Sequence, residues 1–334
     1  MKNGGTFIIA EIGVNHNGSL TMAKKLVNFA KKCGADAVKF QTFTANSLVT
    51  RTAGKAPYQK RNTPSSETQY KMLKKLELSS KKHIILKDLC DKLGIEFLSS
   101  SFDENSADFL HDIGVKKFKI PSGEITNLPY LRHIARKKRP IIISTGMSTM
   151  KEVGEALDII YSSGNRDVTL LQCVTAYPAP YDAINIRAML SMKKRFKVVV
   201  GYSDHTIGME APIAAVALGA KIVEKHFTLD KNLPGPDHKA SANPEEFARM
   251  VTAIRNVEMA LGDGVKRPDK CELKNMAVAR KSIVAACPIR KGESFSADNL
   301  GIKRPGMGIS PMRIYSVIGK KAKRNFNMDD LIGL

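Results

Sequence analysis

Up to about Gly262, short runs rich in β-branched residues alternate with amphipathic helical stretches. This alternation predicts a parallel α/β fold, because each buried strand is followed by a helix that covers the sheet. The predicted strands are Phe7–Ala10, Ala37–Phe40, Glu96–Ser99, Lys117–Ile120, Pro140–Ser144, Val168–Gln172, Lys197–Val200 and Ile222–Lys225. Helices are predicted at Met22–Lys32 and Pro244–Leu261, among others. Eight strand–helix units in about 260 residues predict a (β/α)8 TIM barrel.

A doubly wound open sheet is the alternative fold for the same alternation. That fold commonly binds a dinucleotide at a glycine-rich turn after the first strand. The first predicted strand is not followed by a GxGxxG motif, so a dinucleotide crevice is not indicated.

The chain divides into three parts by composition. Residues 1–262 form the predicted catalytic barrel, residues 263–275 a polar, charged linker, and residues 276–334 a small basic domain with short apolar strands. The last part is too short for a further barrel unit. Within the barrel, residues 42–69 form a long polar connection, and such connections are usually functional lids or disordered segments.

Composition and charge exclude several classes of protein. No apolar run approaches the roughly 20 residues that cross a bilayer, and the start lacks the features of a signal peptide, so we expect a cytoplasmic protein without a membrane partner. The five cysteines form no CxxC pair, which argues against a disulfide framework or a thiolate zinc site. The net charge of +21 is dispersed and tryptophan is absent, so nucleic-acid binding is not expected. The charge fits either a lysine-rich surface or the attraction of an anionic substrate.

Polar residues recur at the carboxyl ends of the predicted strands, where the loops of a barrel converge to form an active site. One such residue alone would be ordinary scaffold, but all eight strands contribute to the same rim, which predicts a functional site. In chain order they are Glu11, Asn15, His16, Lys39, Gln41, Ser99, Ser100, Lys119, Ser122, Glu124, Ser144, Thr175, Tyr177, Ser203, Asp204, His205, Glu224 and His226.

Two lysines on this rim indicate an anionic ligand. Lys39 and Lys119 supply fixed positive charge, and the hydroxyls of Ser100, Ser122 and Ser144 supply neutral donors. A ligand that carries both a phosphate and a carboxylate, such as phosphoenolpyruvate (PEP), matches this set.

Two histidines on the rim indicate a metal ion. His205 and His226 follow neighbouring strands, so both imidazoles can reach one divalent cation, with Glu11 or Asp237 nearby. Because no thiolates accompany them, the pair suggests manganese, iron or a similar catalytic metal and not a structural zinc.

Several longer motifs resemble one family, the sialic acid synthases, over nearly the whole chain. They are AEIGVNHNGS, VKFQTF, FKIPSGEITNLPYL, STGM, GYSDHT, VEKHFTLDKNLPGPDHKAS and KRPGMGIS. The resemblance implies a (β/α)8 barrel followed by a C-terminal antifreeze-like (SAF) domain. It also implies a domain-swapped homodimer, in which the KRPGMGIS segment of one subunit reaches the active site of the other.

The resemblance also implies roles for individual residues. His205 and His226 match the metal ligands, most consistent with Mn²⁺ and otherwise with Mg²⁺ or Co²⁺. The matches to PEP contacts are Lys39, Gln41, Ser100, Lys119, Ser122 and Ser144. Glu11 matches a catalytic residue near the reacting carbon. The matches to sugar contacts are Glu124, Tyr177, Asp237 and Arg304, with Thr175 where some relatives have Asn and Asn62 for a long-loop asparagine.

The expected reaction is the metal-dependent condensation of PEP with N-acetylmannosamine and water to N-acetylneuraminate and phosphate, by C–O bond cleavage. The first alternative is a legionaminic acid synthase that acts on 2,4-diacetamido-2,4,6-trideoxymannose. A Schiff-base aldolase and a non-catalytic carbohydrate-binding protein are more distant alternatives. The sequence does not decide the substituents at C4 and C6 of the acceptor sugar.

Overall fold

The computed structural model describes residues 5–64 and 66–334 of the chain. These residues form two compact units, the first ending at Gly262 and the second spanning Asp263–Leu334. In the described ranges, no helix is both long and apolar enough to cross a membrane.

The first unit is a closed barrel of eight parallel strands, in which β8 pairs with β1. The strands are β1 (Phe7–Gly13), β2 (Ala37–Thr42), β3 (Glu96–Ser101), β4 (Phe118–Ile120), β5 (Ile141–Ser144), β6 (Val168–Cys173), β7 (Val199–Asp204) and β8 (Ile222–His226). The order around the barrel follows the order in the chain, and the prediction of a TIM barrel is confirmed.

Helices follow the strands and cover the barrel. In chain order the helices of the first unit are α1 (Leu20–Lys32), α2 (Ala45–Leu48), α3 (Pro57–Asn62), α4 (Gln69–Leu76), α5 (Ser80–Leu93), α6 (Glu104–Asp112), α7 (Leu128–Arg136), α8 (Met150–Ser162), α9 (Ala188–Phe196), α10 (Glu210–Ala217) and α11 (Pro244–Leu261). Local sequence sets their ends: Asn243 caps α11 by accepting from the Glu246 amide, and Pro244 occupies the first turn, where no amide donor is needed.

The start of the seventh strand differs from its prediction. Lys197 was expected to begin this strand, but it ends α9 in a left-handed conformation with φ of 55°. The expectation was wrong because the apolar run that follows Lys197 resembles a strand from its first residue, whereas the helix termination depends on one backbone angle.

Inward-facing residues of the strands form two stacked layers. The lower layer is apolar and consists of Ile9, Ala37, Leu98, Ile142, Leu171 and Ile222. Because side chains on one face of a strand recur every second residue, the next inward positions towards the carboxyl ends include Glu11, Lys39, Ser100, Ser144 and Glu224. Gly201 fits the crowded lower layer, since a Cβ there would lie 2.4 Å from the Ile222 carbonyl oxygen. The apolar layer thus supports a polar layer at the mouth of the barrel.

The long polar connection after β2 contains ordered structure. It carries α2 and α3 before α4 begins, and the buried side chains of Met72 and Leu73 on α4 pack with Val14 and Phe43. The connection therefore packs on its own small apolar cluster beside the barrel mouth.

The second unit is small and mixed. It contains α12 (Leu273–Ala279), the antiparallel strands β9 (Ser282–Ala285) and β10 (Leu300–Lys303), and α13 (Ile314–Val317). Phe295 and Phe326 meet edge to face in its core, with ring centroids 5.8 Å apart. A short helical turn, Lys270–Glu272, and the start of α12 occupy the end of the segment that was predicted as a linker.

Candidate active site

Four buried charged side chains form an alternating array at the barrel mouth. Lys39 Nζ lies 3.0 Å from Glu11 Oε2 and 3.6 Å from Glu224 Oε2. Lys119 Nζ lies 3.6 Å from the other oxygen of Glu224. Glu224 therefore bridges the two lysines, and all four side chains are at least 94% buried. Their charges cancel, which permits their burial.

Serine hydroxyls complete the surroundings of the lysines. Lys39 Nζ donates to Ser100 Oγ at 2.9 Å, and Lys119 Nζ donates to Ser144 Oγ at 2.7 Å. Ser122 lies just after β4, and its Oγ accepts from the Gly146 amide at 3.0 Å. The first two contacts connect four of the predicted ligand-binding residues, Lys39, Ser100, Lys119 and Ser144.

The array shifts the ionisation of its members. Burial raises the pKa of Glu11 to about 7, against the opposing effect of Lys39. Burial also acts on Glu224, but Lys119 and Lys39 outweigh it and lower the pKa of that carboxyl to about 2. Burial lowers the pKa of Lys119, whereas Glu11 and Glu224 outweigh burial at Lys39 and raise its pKa. Glu224 is thus the permanent anion of the array.

The two histidines predicted as metal ligands lie side by side, with ring centroids 5.3 Å apart. His205 Nδ1 donates to the Val174 carbonyl at 2.7 Å, which leaves its Nε2 lone pair free for a cation, as is usual for a metal-binding imidazole. Burial, followed by the effect of His205, lowers the pKa of His226 well below its usual range, so His226 is neutral. Its Nδ1 is buried without a hydrogen-bond partner among the described residues and lies 4.0 Å from Asp237 Oδ2.

This donor set fits a divalent cation of the manganese type, with two imidazoles, one carboxylate and water as ligands. In residues 5–64 and 66–334, no group of three or more His, Cys, Asp or Glu side chains is already arranged around one point. Two imidazoles are therefore the core of the proposed site, and Asp237 is the third candidate ligand.

The residues expected to contact a sugar are only partly brought together. Tyr177 lies 4.2 Å from His205 between ring centroids, and Gln41, Tyr177, His226 and Asp237 line one cavity of about 90 Å³. Asn62 Nδ2, on α3, donates to the Pro236 carbonyl at 2.8 Å, which places the end of α3 beside Asp237.

Two others of the first unit, Thr175 and Glu124, are not among the residues that line this cavity. Thr175 is exposed and packs near Gly146, where a Cβ would meet its Oγ1. The Glu124 carboxylate accepts from Asn127 Nδ2 at 2.7 Å, and burial raises its pKa. Arg304 belongs to the second unit, where it is exposed and forms no ion pair with any residue that the structure describes.

Two residues of the site were given no role in the prediction. Glu224 was noted at a strand end without a role, although its spacing of two residues from His226 puts both on the inner face of β8. Tyr58 on α3 stacks on Tyr177 with ring centroids 4.7 Å apart. No periodic pattern in the long connection points to Tyr58.

Comparisons with known proteins identify relatives for both units. A family model described as NeuB family matches residues 26–266, and one described as SAF domain matches residues 280–333. An N,N'-diacetyllegionaminic acid synthase of Campylobacter jejuni is 52% identical over 98% of this chain and 98% of its own length. A synthase of the same name from Legionella pneumophila is 52% identical over 96% of this chain and 91% of its own length. The solved structure of the spore coat polysaccharide biosynthesis protein SpsE from Bacillus subtilis superposes with a TM-score of 0.68 at 37% identity, covering 99% of this chain and 95% of that one.

Proposed function

Because this chain belongs to the NeuB family, we propose that it condenses PEP with 2,4-diacetamido-2,4,6-trideoxymannose and water to N,N'-diacetyllegionaminic acid and phosphate. Two synthases of that acid, each 52% identical over nearly the full chain, support this acceptor. They favour it over N-acetylmannosamine, the acceptor first expected from the sequence. The N-acetylneuraminate reaction stays the alternative. Since PEP is a cytoplasmic metabolite, we propose the cytoplasm as the compartment.

The observation that supports PEP as the donor is the buried lysine pair. Lys39 and Lys119 each donate a hydrogen bond to a serine hydroxyl, so their ammonium groups are held in fixed positions. We propose that the two ammonium groups bind the phosphate and carboxylate of PEP, with Ser100, Ser122 and Ser144 as neutral donors and Gln41 at the edge. Fixed cations of this kind need little reorganisation when the anion arrives.

His205, His226 and Asp237 are the residues that would hold a divalent metal, most consistent with Mn²⁺. When bound, such an ion would polarise the aldehyde of the open-chain sugar as a Lewis acid. The protein's own contribution here is to keep His226 neutral through burial and to orient the His205 ring through its hydrogen bond to Val174.

Glu11 is the proposed proton carrier. C3 of PEP forms a bond to the aldehyde carbon, the aldehyde oxygen takes up a proton, and C2 becomes electron-poor. Glu11 stabilises that charge and accepts a proton from the water that adds to C2, which balances the proton taken up by the aldehyde oxygen. Phosphate then leaves with its bridging oxygen and takes the proton of the new C2 hydroxyl, which completes the 2-keto acid. The buried carboxyl, held by Lys39 and by Gln41 at 3.3 Å, suits a group that gains and loses a proton.

The test compares acceptors directly. Purified protein with PEP and Mn²⁺ is incubated with the diacetamido sugar or with N-acetylmannosamine, and phosphate release and product mass are followed. Faster turnover of the diacetamido sugar supports the proposal, whereas a clear preference for N-acetylmannosamine restores the alternative. Borohydride trapping with pyruvate should give no covalent adduct, because a stable adduct on Lys119 would indicate a Schiff-base aldolase.

A homodimer is also proposed, in which Arg304 of one subunit serves the barrel of the other. Its guanidinium could hold an acetamido carbonyl with two parallel donors. The test mixes two inactive variants, Arg304→Ala and Glu11→Gln, under conditions of subunit exchange. Action between subunits leaves one intact site in each mixed dimer and restores activity, while action within one subunit restores none.

A further inference from the structure

Tyr58 extends the site from the barrel into the long connection after β2. Its ring packs on Tyr177 at 4.7 Å between centroids and 32° between planes. Tyr177 in turn packs on His205 at 4.2 Å and meets His226 edge to face at 5.7 Å. A continuous series of ring contacts therefore joins α3 to the imidazole pair.

The hydroxyl of Tyr58 faces a second part of the site. Tyr58 and Asp237 line the same cavity, and the Tyr58 side chain lies close to the Asp237 carboxylate. A tyrosine hydroxyl keeps its proton at neutral pH, so it can donate to a neighbouring carboxylate. No barrel side chain that the structure describes donates a hydrogen bond to this carboxylate, so the Tyr58 hydroxyl is the donor available to it.

Further contacts hold α3 in this place. Asn62, at the end of α3, donates to the carbonyl of Pro236, the residue before Asp237. Lys55 Nζ closes the base of the same turn by donating to Thr63 Oγ1 at 2.8 Å. Asn62 thus fastens α3 to the segment that carries Asp237, and Tyr58 lines the same cavity as that carboxylate.

We propose that Tyr58 is a positioning residue for the acceptor sugar, acting by orienting Asp237 and Tyr177. The inference rests on the proposed function, in which those two side chains contact the acceptor. PEP binds at the lysine pair, which Tyr58 does not touch. Loss of the Tyr58 hydroxyl therefore affects the acceptor and leaves PEP binding unchanged.

The variant Tyr58→Phe removes the hydroxyl and keeps the ring on Tyr177. We expect the KM for the acceptor to rise about tenfold, which is the scale of one lost hydrogen bond to a charged group, while the KM for PEP stays within about twofold. The matched control is Tyr70→Phe, because the Tyr70 hydroxyl donates to Asn46 Oδ1 at 2.7 Å in the same connection, away from the site. The control should change neither KM, and the melting temperatures of both variants should match.

A double-mutant cycle with Asp237→Asn tests the route of the effect. If Tyr58 acts through Asp237, the loss caused by Tyr58→Phe becomes much smaller in the Asp237→Asn background. Equal losses in both backgrounds, or an equal rise in the KM for PEP, overturn the inference while leaving the proposed function intact. Absence of turnover by the unmodified protein with either acceptor sugar instead overturns the proposed function.

Discussion

Replacing Glu224 by Gln should destabilise the barrel and make it depend on an anionic ligand. The side chain keeps its shape, but both lysines lose a carboxylate at 3.6 Å. Lys39 keeps Glu11 at 3.0 Å. Lys119 keeps only neutral partners, the Ser144 hydroxyl at 2.7 Å and the Ile120 carbonyl at 3.5 Å. The cost therefore falls mainly on Lys119, which becomes a buried cation without an anion.

The size of the effect follows from these distances. At an effective dielectric constant of about 20, two unit charges at this separation interact by roughly 4–5 kcal/mol before desolvation is counted. Measured losses from removing one partner of a buried pair are about 3–5 kcal/mol. We expect a loss of that order in the free energy of unfolding, or a fall of about 6–20 °C in melting temperature for a unit of this size.

Glu96→Gln provides the matched control. Lys117, the residue before β4, also pairs with Glu96 at the start of β3, at 2.6 Å, but the two side chains are 27% and 14% exposed. Water offsets much of that interaction, so this variant should lose no more than about 1 kcal/mol. Urea unfolding followed by circular dichroism measures both variants under the same conditions.

PEP should then stabilise Glu224→Gln more than it stabilises the unmodified protein, because the ligand supplies the missing negative charge beside Lys119. Thermal unfolding with increasing PEP measures the difference. Equal stability losses in the Glu224 and Glu96 variants, or an equal effect of PEP on the variant and the unmodified protein, would refute the electrostatic role given to Glu224.

Three further predictions concern the same barrel. Glu11→Gln should lower turnover by about two or more orders of magnitude, the usual scale for a lost acid/base group, with PEP affinity nearly unchanged; turnover within a fewfold would make Glu11 structural. His226→Ala should weaken Mn²⁺ binding in calorimetry, and a chelator should abolish activity reversibly; equal Mn²⁺ affinity would remove His226 from the ligands. Burial lowers the pKa of His16 from 6.5 to about 3, so the unfolded chain binds one proton more between these values. The contribution of His16 to the free energy of unfolding should be full above pH 6.5 and fall as the pH drops. In urea unfolding, His16→Gln should reduce the slope of this free energy against pH by about 1.4 kcal/mol per pH unit. An unchanged slope would contradict the buried neutral state of His16.

Much of the fold was predictable because the apolar pattern that indicates each strand is local in the sequence. Each strand of the barrel is a short apolar run, and the structure contains a strand at every predicted position. The errors are at the ends: the first strand continues from Ala10 to Gly13, and Lys197 is a helix cap. Polar residues such as Glu11 lie at the carboxyl ends of strands. The apolar pattern of the sequence stops before these residues, although the strand itself continues through them. Strand ends are therefore underestimated at the places where a site lies.

The position of these side chains on one rim was predictable, but the contacts between them were not. The sequence places Lys39, Lys119 and Glu224 at the ends of different strands, and parallel strands share one rim. That Glu224 bridges both lysines depends on the stagger of the closed barrel, which no local pattern encodes. Tyr58 was missed for a related reason, because its position depends on how α3 folds back over the barrel and not on any repeat in the sequence.

The arrangement of the array bears on how an anion would bind. Lys39 and Lys119 are not free cations, because Glu224 already lies 3.6 Å from each. A phosphate that approaches them competes with that carboxylate, so the two charges contribute less to affinity than two unpaired lysines would. The neutral hydroxyls of Ser100 and Ser144 face no such competition from an anion and lie beside the same ammonium groups. Discrimination therefore depends on whether a ligand can reach the ammonium groups and the hydroxyls together.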